Sequence, residues 1–430
     1  MSEQTNEKGA LVPRLRFPEF RDAGEWATFE LGSLSQLVTE RVGTTTCTPY
    51  TITSGVGLVS QEEKLGRTIA GNSLKNYIVL QRNDFAYNKS ATKAYPQGFI
   101  ALYAGDDRAA VPNSIFTCFR VNRNQVIPAF LDKLFSFNLH GKWLRTRIAV
   151  GARAHGSLQV SDDDLMAIPV PLPSSSQSLA EQQKIADCLS SLDDLIAAET
   201  QKLDTLQTYK KCLMQQLFPC EGETVPRLRF PEFRNSGEWE KVSLQLVIEI
   251  ASGQVDPTKP PYCDLPHVGG DNIEAGTGNL LNLRTAKEDG VISGKYAFDE
   301  HDILYSKIRP ALNKVAAPGF SGVCSADIYP IRPCGEMLRR EFLVYLLRSE
   351  SFVKYATKHS GRGKIPKINR EDLFAYDAML PTLAEQECIA SFLSSLDKRI
   401  NLQSQKLEDL QSHKIGLMQQ LFPALDEVGT

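Results

Sequence analysis

The sequence has little that would tie it to a membrane, a metal or a catalytic centre. Its 430 residues contain no run of eighteen apolar residues, so a helical membrane span is not expected. The opening MSEQTNEKGA is polar and does not read as a secretory leader. The nine cysteines form no CxxC pair. Cys263 and His267 make one isolated CxxxH, which reads as accidental rather than as a metal site. Scattered, unpaired cysteines point to a reducing, cytoplasmic setting. A basic excess is also missing: the net charge is −3, so any polyanion binding must come from local runs. The chain has no GxxxxGK[ST] loop, no HExxH, and no Asn-Pro-Pro-aromatic or Asp-Pro-Pro-aromatic motif of the kind that amino-methyltransferases carry. It has no nuclease-like acidic cluster, and VGGDN (268–272) lacks the dinucleotide fingerprint. These absences predict a non-enzyme with no catalytic residue, metal or cofactor of its own.

What is present is a repeat. VPRLRFPEFR occurs at 12–21 and again at 225–234, 213 residues on. Gly24-Glu25-Trp26 returns as Gly237-Glu238-Trp239 at the same offset. LAEQQKIADCLSSLD (179–193) returns as LAEQECIASFLSSLD (383–397), and LMQQLFP (213–219) as LMQQLFP (417–423), both 204 residues on. The middles diverge, but share Asp-x-x-Tyr-x-Lys: Asp84, Tyr87 and Lys89 against Asp302, Tyr305 and Lys307. Alternating apolar residues with Gly and Pro predict short strands there, followed by short amphipathic helices, so both inserts are expected to be α+β.

Between Leu179 and Leu217 there is neither Pro nor Gly. Apolar residues fall in alternating steps of four and three at Ile185, Leu189, Leu192, Ile196, Leu203, Leu206, Leu213 and Leu217, with Glu199 and Lys210 filling two steps. The second copy keeps the register at Ile389, Leu393, Leu396, Ile400, Leu407, Leu410, Leu417 and Leu421, with Gln403 and Lys414 at the interruptions. That pattern predicts two coiled-coil helices of roughly 58 Å each. Helix one leads toward module two, so helix two must return along it and the pairing must be antiparallel. Copy two of the decapeptide follows helix one through CEGET, and the returning end of helix two should arrive beside copy one. Phe17, Phe20, Phe230 and Phe233 are assigned to packing around the helix ends. Arg14, Arg16, Arg227 and Arg229 either belong to the same plug or touch a partner or phosphate.

Two acid-free basic runs sit at matching places before the long helices. The first, 141–155, holds Lys142, Arg145, Arg147, Arg153 and His155, and the second, 357–370, holds Lys358, Arg362, Lys364, Lys367 and Arg370. Gly151, Gly156, Gly361 and Gly363 would let backbone approach a surface closely. The runs are either solvated turns or two phosphate-facing surfaces, and their recurrence favours the second reading. The Asp-x-x-Tyr-x-Lys segments add Tyr87, Lys89 and Lys93 in one module, and Tyr305, Lys307, Arg309 and Lys314 in the other. Asn88, Gln97, Asn113, Gln159, Ser306, Asn313 and Asn369 are nearby side chains able to read base edges.

Taken together, LPSSSQSLAEQQKIADCLSSLDDLI with LPTLAEQECIASFLSSLDKRI, KLDTLQTYKKCLMQQLF with KLEDLQSHKIGLMQQLF, and DILYSKIRPALNK resemble the specificity subunit of type I restriction–modification enzymes over residues 12–423. The first insert lacks the Arg309-Pro310 step of the second. The resemblance implies an α+β chain: two α/β target-recognition domains separated by two long helices in an antiparallel coiled coil, with a pseudo-twofold repeat. Recognition domains are expected at 1–178 and 219–382, spacer helices at 179–218 and 383–423, and a tail at 424–430. It implies a bipartite double-stranded DNA target, two methyltransferase subunits docked on the helices, and two translocase–nuclease restriction subunits. S-adenosylmethionine, ATP and Mg²⁺ would then belong to those partners. The rivals are a duplicated coiled-coil scaffold that binds no DNA, and a self-sufficient nuclease or methyltransferase.

Overall fold

The computed structural model describes residues 11–53, 56–93, 95–148, 158–361 and 365–423. The chain forms two compact units, Met1–Glu199 with Lys406–Thr430, and Thr200–Gln405. The boundary falls inside both long helices, so each unit holds the first half of one helix and the second half of the other. This differs from the linear division into domains and spacers read from the sequence.

Each unit is α+β, and the two share one topology although their inserts diverge. In unit one, Trp26–Glu30 pairs antiparallel with Pro169–Pro173. A four-stranded antiparallel sheet runs Ser35–Leu37, Phe116–Val121, Asp84–Asn88, Phe99–Leu102. A second sheet runs Gly57–Ser60, Thr48–Thr53, Ala109–Val111, Ile78–Leu80, with one parallel pair at Thr48–Thr53 and Ala109–Val111. Unit two repeats the order: Glu240–Ser243 with Asp377–Leu380, then Ile248–Ile250, Ile328–Pro333, Ile303–Ser306, Val315–Ala316, then Arg284–Thr285, Pro266–Val268, Gly322–Cys324, Tyr296–Phe298. Its parallel pair, Pro266–Val268 with Gly322–Cys324, is the counterpart of the first. The amphipathic segments form Pro128–Ser136 and Leu139–Arg145 in one unit, Arg340–Arg348 and Glu350–Lys358 in the other.

The long helices are Ser178–Leu217 and Leu383–Leu421. All sixteen apolar positions of the predicted register are buried or half-buried, because that face meets the other helix or the insert. Pairing is antiparallel. In unit one, Asp193 meets Lys414 and Glu199 meets Lys406, so the numbers rise on one helix as they fall on the other. In unit two, Lys210 meets Asp397, and Leu213 and Leu217 share a core with Ile389, Leu393, Leu396 and Ile400. The two polar interruptions Glu199 and Lys210 are therefore bridged across the pair rather than left facing carbon.

The repeated peptides are the joints. Arg16 makes a bidentate pair with Glu181 (2.7 Å and 2.7 Å) and caps the Gly24 carbonyl (2.6 Å). Arg229 does the same with Glu385 (2.7 Å and 2.7 Å) and Gly237 (2.5 Å). Both carboxylates are fully buried, so these arginines are committed to packing and are not offered to phosphate. The next glutamine ties down the insert: Gln182 bonds the backbone of Gln125 and Ile127, and Gln386 bonds that of Met337 and Arg339. The Leu15 amide donates to the Gln420 carbonyl, and the Leu228 amide to the Gln216 carbonyl, each at 2.9 Å. The returning helix end does arrive beside the first decapeptide, where Phe17 packs with the cluster holding Met418, Leu421 and Phe422, and in unit two Phe230 packs edge-on to Phe392.

Candidate nucleic-acid interface

The Asp-x-x-Tyr-x-Lys segment divides its labour by depth. Its aspartate is buried and anchors the central strand to its neighbour: Asp84 receives Arg120 at 2.6 and 2.8 Å, Asp302 receives Arg332 at 2.8 and 2.8 Å. The carboxylates hold both guanidiniums above their usual pKa. Sequence reasoning missed these arginines. The available signal was a single Arg inside an apolar strand run, FTCFRV and IYPIRP.

The tyrosines are a correction. Tyr87 and Tyr305 were expected to face DNA, yet both rings lie in the core, and burial drives their hydroxyls well above the usual tyrosine pKa. The Tyr87 hydroxyl donates to the Gln97 carbonyl at 2.8 Å, and Tyr305 packs edge-on to Phe352. On a central strand with period two, the apolar neighbours decide which way a tyrosine points.

The lysine is half-buried, and in both modules backbone from within or just past the basic run returns to its carbonyl. The Ile368 amide donates to the Lys307 carbonyl at 3.1 Å, and the Leu158 amide to the Lys89 carbonyl at 2.6 Å. In unit two, Ile308 bridges Lys367, and the Arg309 amide donates to the Pro366 carbonyl at 2.8 Å. Lys307, Arg309, Lys367 and Arg370, spread over more than sixty residues of sequence, thus lie at one rim. Arg309 takes a left-handed backbone (φ 48°) just before Pro310, and the residue is exposed. Such a conformation costs of order 1 kcal/mol in a non-glycine residue and persists where neighbours enforce it.

Not every candidate is available to a ligand. Lys307 donates to the Ala326 carbonyl (2.7 Å), pairs with Asp327 (3.5 Å) and lies over the Tyr329 ring. Arg370 donates to the Ala251 carbonyl (2.7 Å) and lies over the Tyr296 and Tyr329 rings. Lys314 is turned to the Gly270 carbonyl (2.6 Å). In unit one, Lys89 is half-buried 3.8 Å from Asp162, while Lys93, Lys142, Arg145 and Arg147 are exposed. Arg147 stacks on Trp143 (3.1 Å to the ring centre). Arg153, His155, Arg362 and Lys364 lie outside the described residues. His267 of the isolated CxxxH pairs with Asp289 at 2.8 Å.

The chain is a duplicated α+β protein whose long helices pair antiparallel in each unit, and unit two brings Lys307, Arg309, Lys367 and Arg370 together. Comparison with known proteins identifies the kind. The family described as the type I restriction modification DNA specificity domain matches residues 24–208 and 236–412, and the chain belongs to that family. It is 29% identical over 266 residues to the type I restriction enzyme EcoDI specificity subunit of Escherichia coli, a stretch covering 55% of this chain and 58% of that protein. It is 26% identical over 342 residues to the putative type I restriction enzyme MjaX specificity subunit of Methanocaldococcus jannaschii, covering 77% and 76%. The crystal structure of the type I restriction–modification S subunit from M. genitalium shares the fold at a TM-score of 0.58 and 13% identity, covering 96% of this chain and all of that one. The match thus spans less than two thirds of the E. coli relative.

Proposed function

We propose that this chain is the DNA sequence-specificity subunit of a type I restriction–modification complex. Residues 1–178 and 219–382 act as target-recognition domains, each reading one half of a bipartite double-stranded target. The helices at 179–218 and 383–423 set the spacing of the two readings and dock two methyltransferase subunits. The two restriction subunits join that assembly in the cytoplasm. The chain itself is non-catalytic: S-adenosylmethionine serves the methyltransferase subunits, and ATP and Mg²⁺ the translocase–nuclease subunits.

The observation that supports this reading is the return of backbone to the lysine of Asp-x-x-Tyr-x-Lys, from Ile368 inside the second basic run to Lys307, and from Leu158, three residues past the first run, to Lys89. On a chain of net charge −3, local cation clusters of this kind are what phosphate contact requires. In this mechanism exposed cations such as Arg309, Lys367, Lys142 and Arg145 fix the duplex by its phosphates. Polar side chains within each rim read base edges. Holding the duplex in register leaves the partner to turn the adenine out of the stack.

The direct test measures binding of duplex DNA at several salt concentrations. A log-log slope near zero would remove DNA from the reading and leave the scaffold. Arg309→Glu with Lys367→Glu should lower target affinity at 0.1 M salt and reduce the slope by about 2, with partner assembly intact. Mapping modified adenines across a genome with and without the chain should reveal an asymmetric two-part motif only in its presence.

A further inference from the structure

Each unit holds a charge cluster where the long helices meet the insert, and the two clusters are not balanced alike. The bonds from Gln182 to the Ile127 amide and from Gln386 to the Arg339 amide align the short insert helices. Asp132 then matches Val344, Lys133 matches Tyr345 and Ser136 matches Arg348. In unit one the cations are Lys133 and Lys414, both paired with Asp193. A second carboxyl, Asp132, lies in electrostatic reach of both lysines, and burial raises its pKa against their pull. In unit two the cations are Lys210 and Arg348, whose side chains keep only 14% and 9% of their surface, and both face Asp397. Valine stands where the second carboxyl would be, and the Tyr345 hydroxyl donates to Asp397 at 2.8 Å, taking a further share of it. Burial pushes the pKa of Lys210 and of Arg348 down, with Asp397 the carboxylate that opposes it. Unit one answers its pair of cations with two carboxyl groups, unit two with one, and a buried cation lacking its counter-charge is costly.

The unit-two cluster lines a cavity of about 1250 Å³ walled by both long helices and the insert, above the roughly 300–1,000 Å³ usual for small-ligand sites. Six basic and four acidic side chains line it, so its wall carries an excess of positive charge. The Arg348 guanidinium is held there but under-used. Its Nη2 donates to the Val315 carbonyl at 2.7 Å and its Nη1 stands 3.8 Å from Asp397, while Nε has no hydrogen-bond partner among the described residues. Asn313, whose Oδ1 also lacks a partner there, lines the same cavity. Residues 274–279 form one wall. Gly278 (φ 74°) lets that wall close on the guanidinium, since a Cβ there would strike both Arg348 and the Val315 carbonyl. An oxyanion would supply what unit one has and unit two lacks, a second set of negative acceptor oxygens. We propose that this cavity binds a small organic oxyanion, a phosphate or carboxylate on a compound of nucleotide size or less, held by Arg348 and Lys210. Arg348 contributes a planar fork and Lys210 a point charge. None of Lys307, Arg309, Lys367 and Arg370 lines the cavity, so the site is separate from the proposed DNA contacts and does not depend on them.

The test is isothermal titration calorimetry of the full chain with inorganic phosphate, acetate and adenosine monophosphate, each at fixed ionic strength. At least one of the three should bind at one site per chain, and which of them binds best tells phosphate from carboxylate and a bare anion from a larger compound. Val344→Asp places in unit two the carboxyl that unit one already has, and Lys210→Met removes one cation while leaving Arg348 with Asp397. Each should weaken that binding by about tenfold or more, the loss of one charged contact. Lys414→Met, the matching change in unit one, should leave it as it was. No binding of any probe by the parent would overturn the inference. So would binding of equal strength in the parent and in Lys210→Met, which would put the anion elsewhere on the surface. Val344→Asp introduces a carboxyl beside a core, so if it loses its melting transition or disagrees with Lys210→Met, the latter decides.

Discussion

Two side chains carry the most information about stability. Arg229 and Glu385 form a buried charged clamp between decapeptide and long helix. Arg229→Ala strands a carboxylate with no access to water, and should cost roughly 3–5 kcal/mol, read as a fall in urea midpoint of the second unit. The second is His140, buried between Tyr87 and Phe135 with Nε2 3.2 Å from the Gly98 carbonyl. Burial pushes its pKa down to about 4. Unfolded, the ring protonates near ~6.5. The folded value is the lower one, so its contribution is complete above ~6.5 and fades as pH falls toward 4. Melting curves between pH 7 and pH 4.5 should steepen in that window for the parent, and less for His140→Gln. Equal slopes would show that the fold does not hold this ring neutral. None of this was legible in the letters. His140 sits in an unremarked amphipathic helix, and for Arg229 a phosphate contact stayed open beside the favoured packing role until its partner 156 residues away was located.

Among elements, the long helices were the most legible and the inserts the least. A four-three apolar step sustained over nearly forty residues admits one explanation, and chain direction fixes the pairing as antiparallel. Leu393 is fully buried on that seam, so Leu393→Ala should destabilise by about 2–4 kcal/mol in thermal unfolding. Leu192→Asp, at a half-buried position, should cost less while still weakening assembly with partners. The insert strands are two to six residues long and hide their kinship, because apolar residues substitute freely for one another inside a sheet. Only the Asp-x-x-Tyr-x-Lys remnant survived, and its role was split in a way spacing cannot show. The aspartate holds an arginine on the next strand, the tyrosine fills the core, and only the lysine reaches the rim. The basic runs were visible as letters. Their meeting with Lys89 and Lys307 was not, since it depends on a backbone pairing across sixty residues or more.

At the scale of the whole molecule, the proposed DNA contacts and the proposed partner dock use different residues. Charge reversal at Arg309 and Lys367 should act on DNA and its salt dependence, and leave the partner count alone. The bond from Leu15 to Gln420 has a consequence for how the protein may be written. It holds the residues nearest the two ends of the described chain side by side, as Leu228 is held to Gln216 in the other unit, where the peptide between them is continuous. The fold thus has no privileged starting point. A permuted chain opened within CEGET (220–224), with residue 423 joined to residue 11 through a short flexible linker, should keep the same melting behaviour and the same bipartite target.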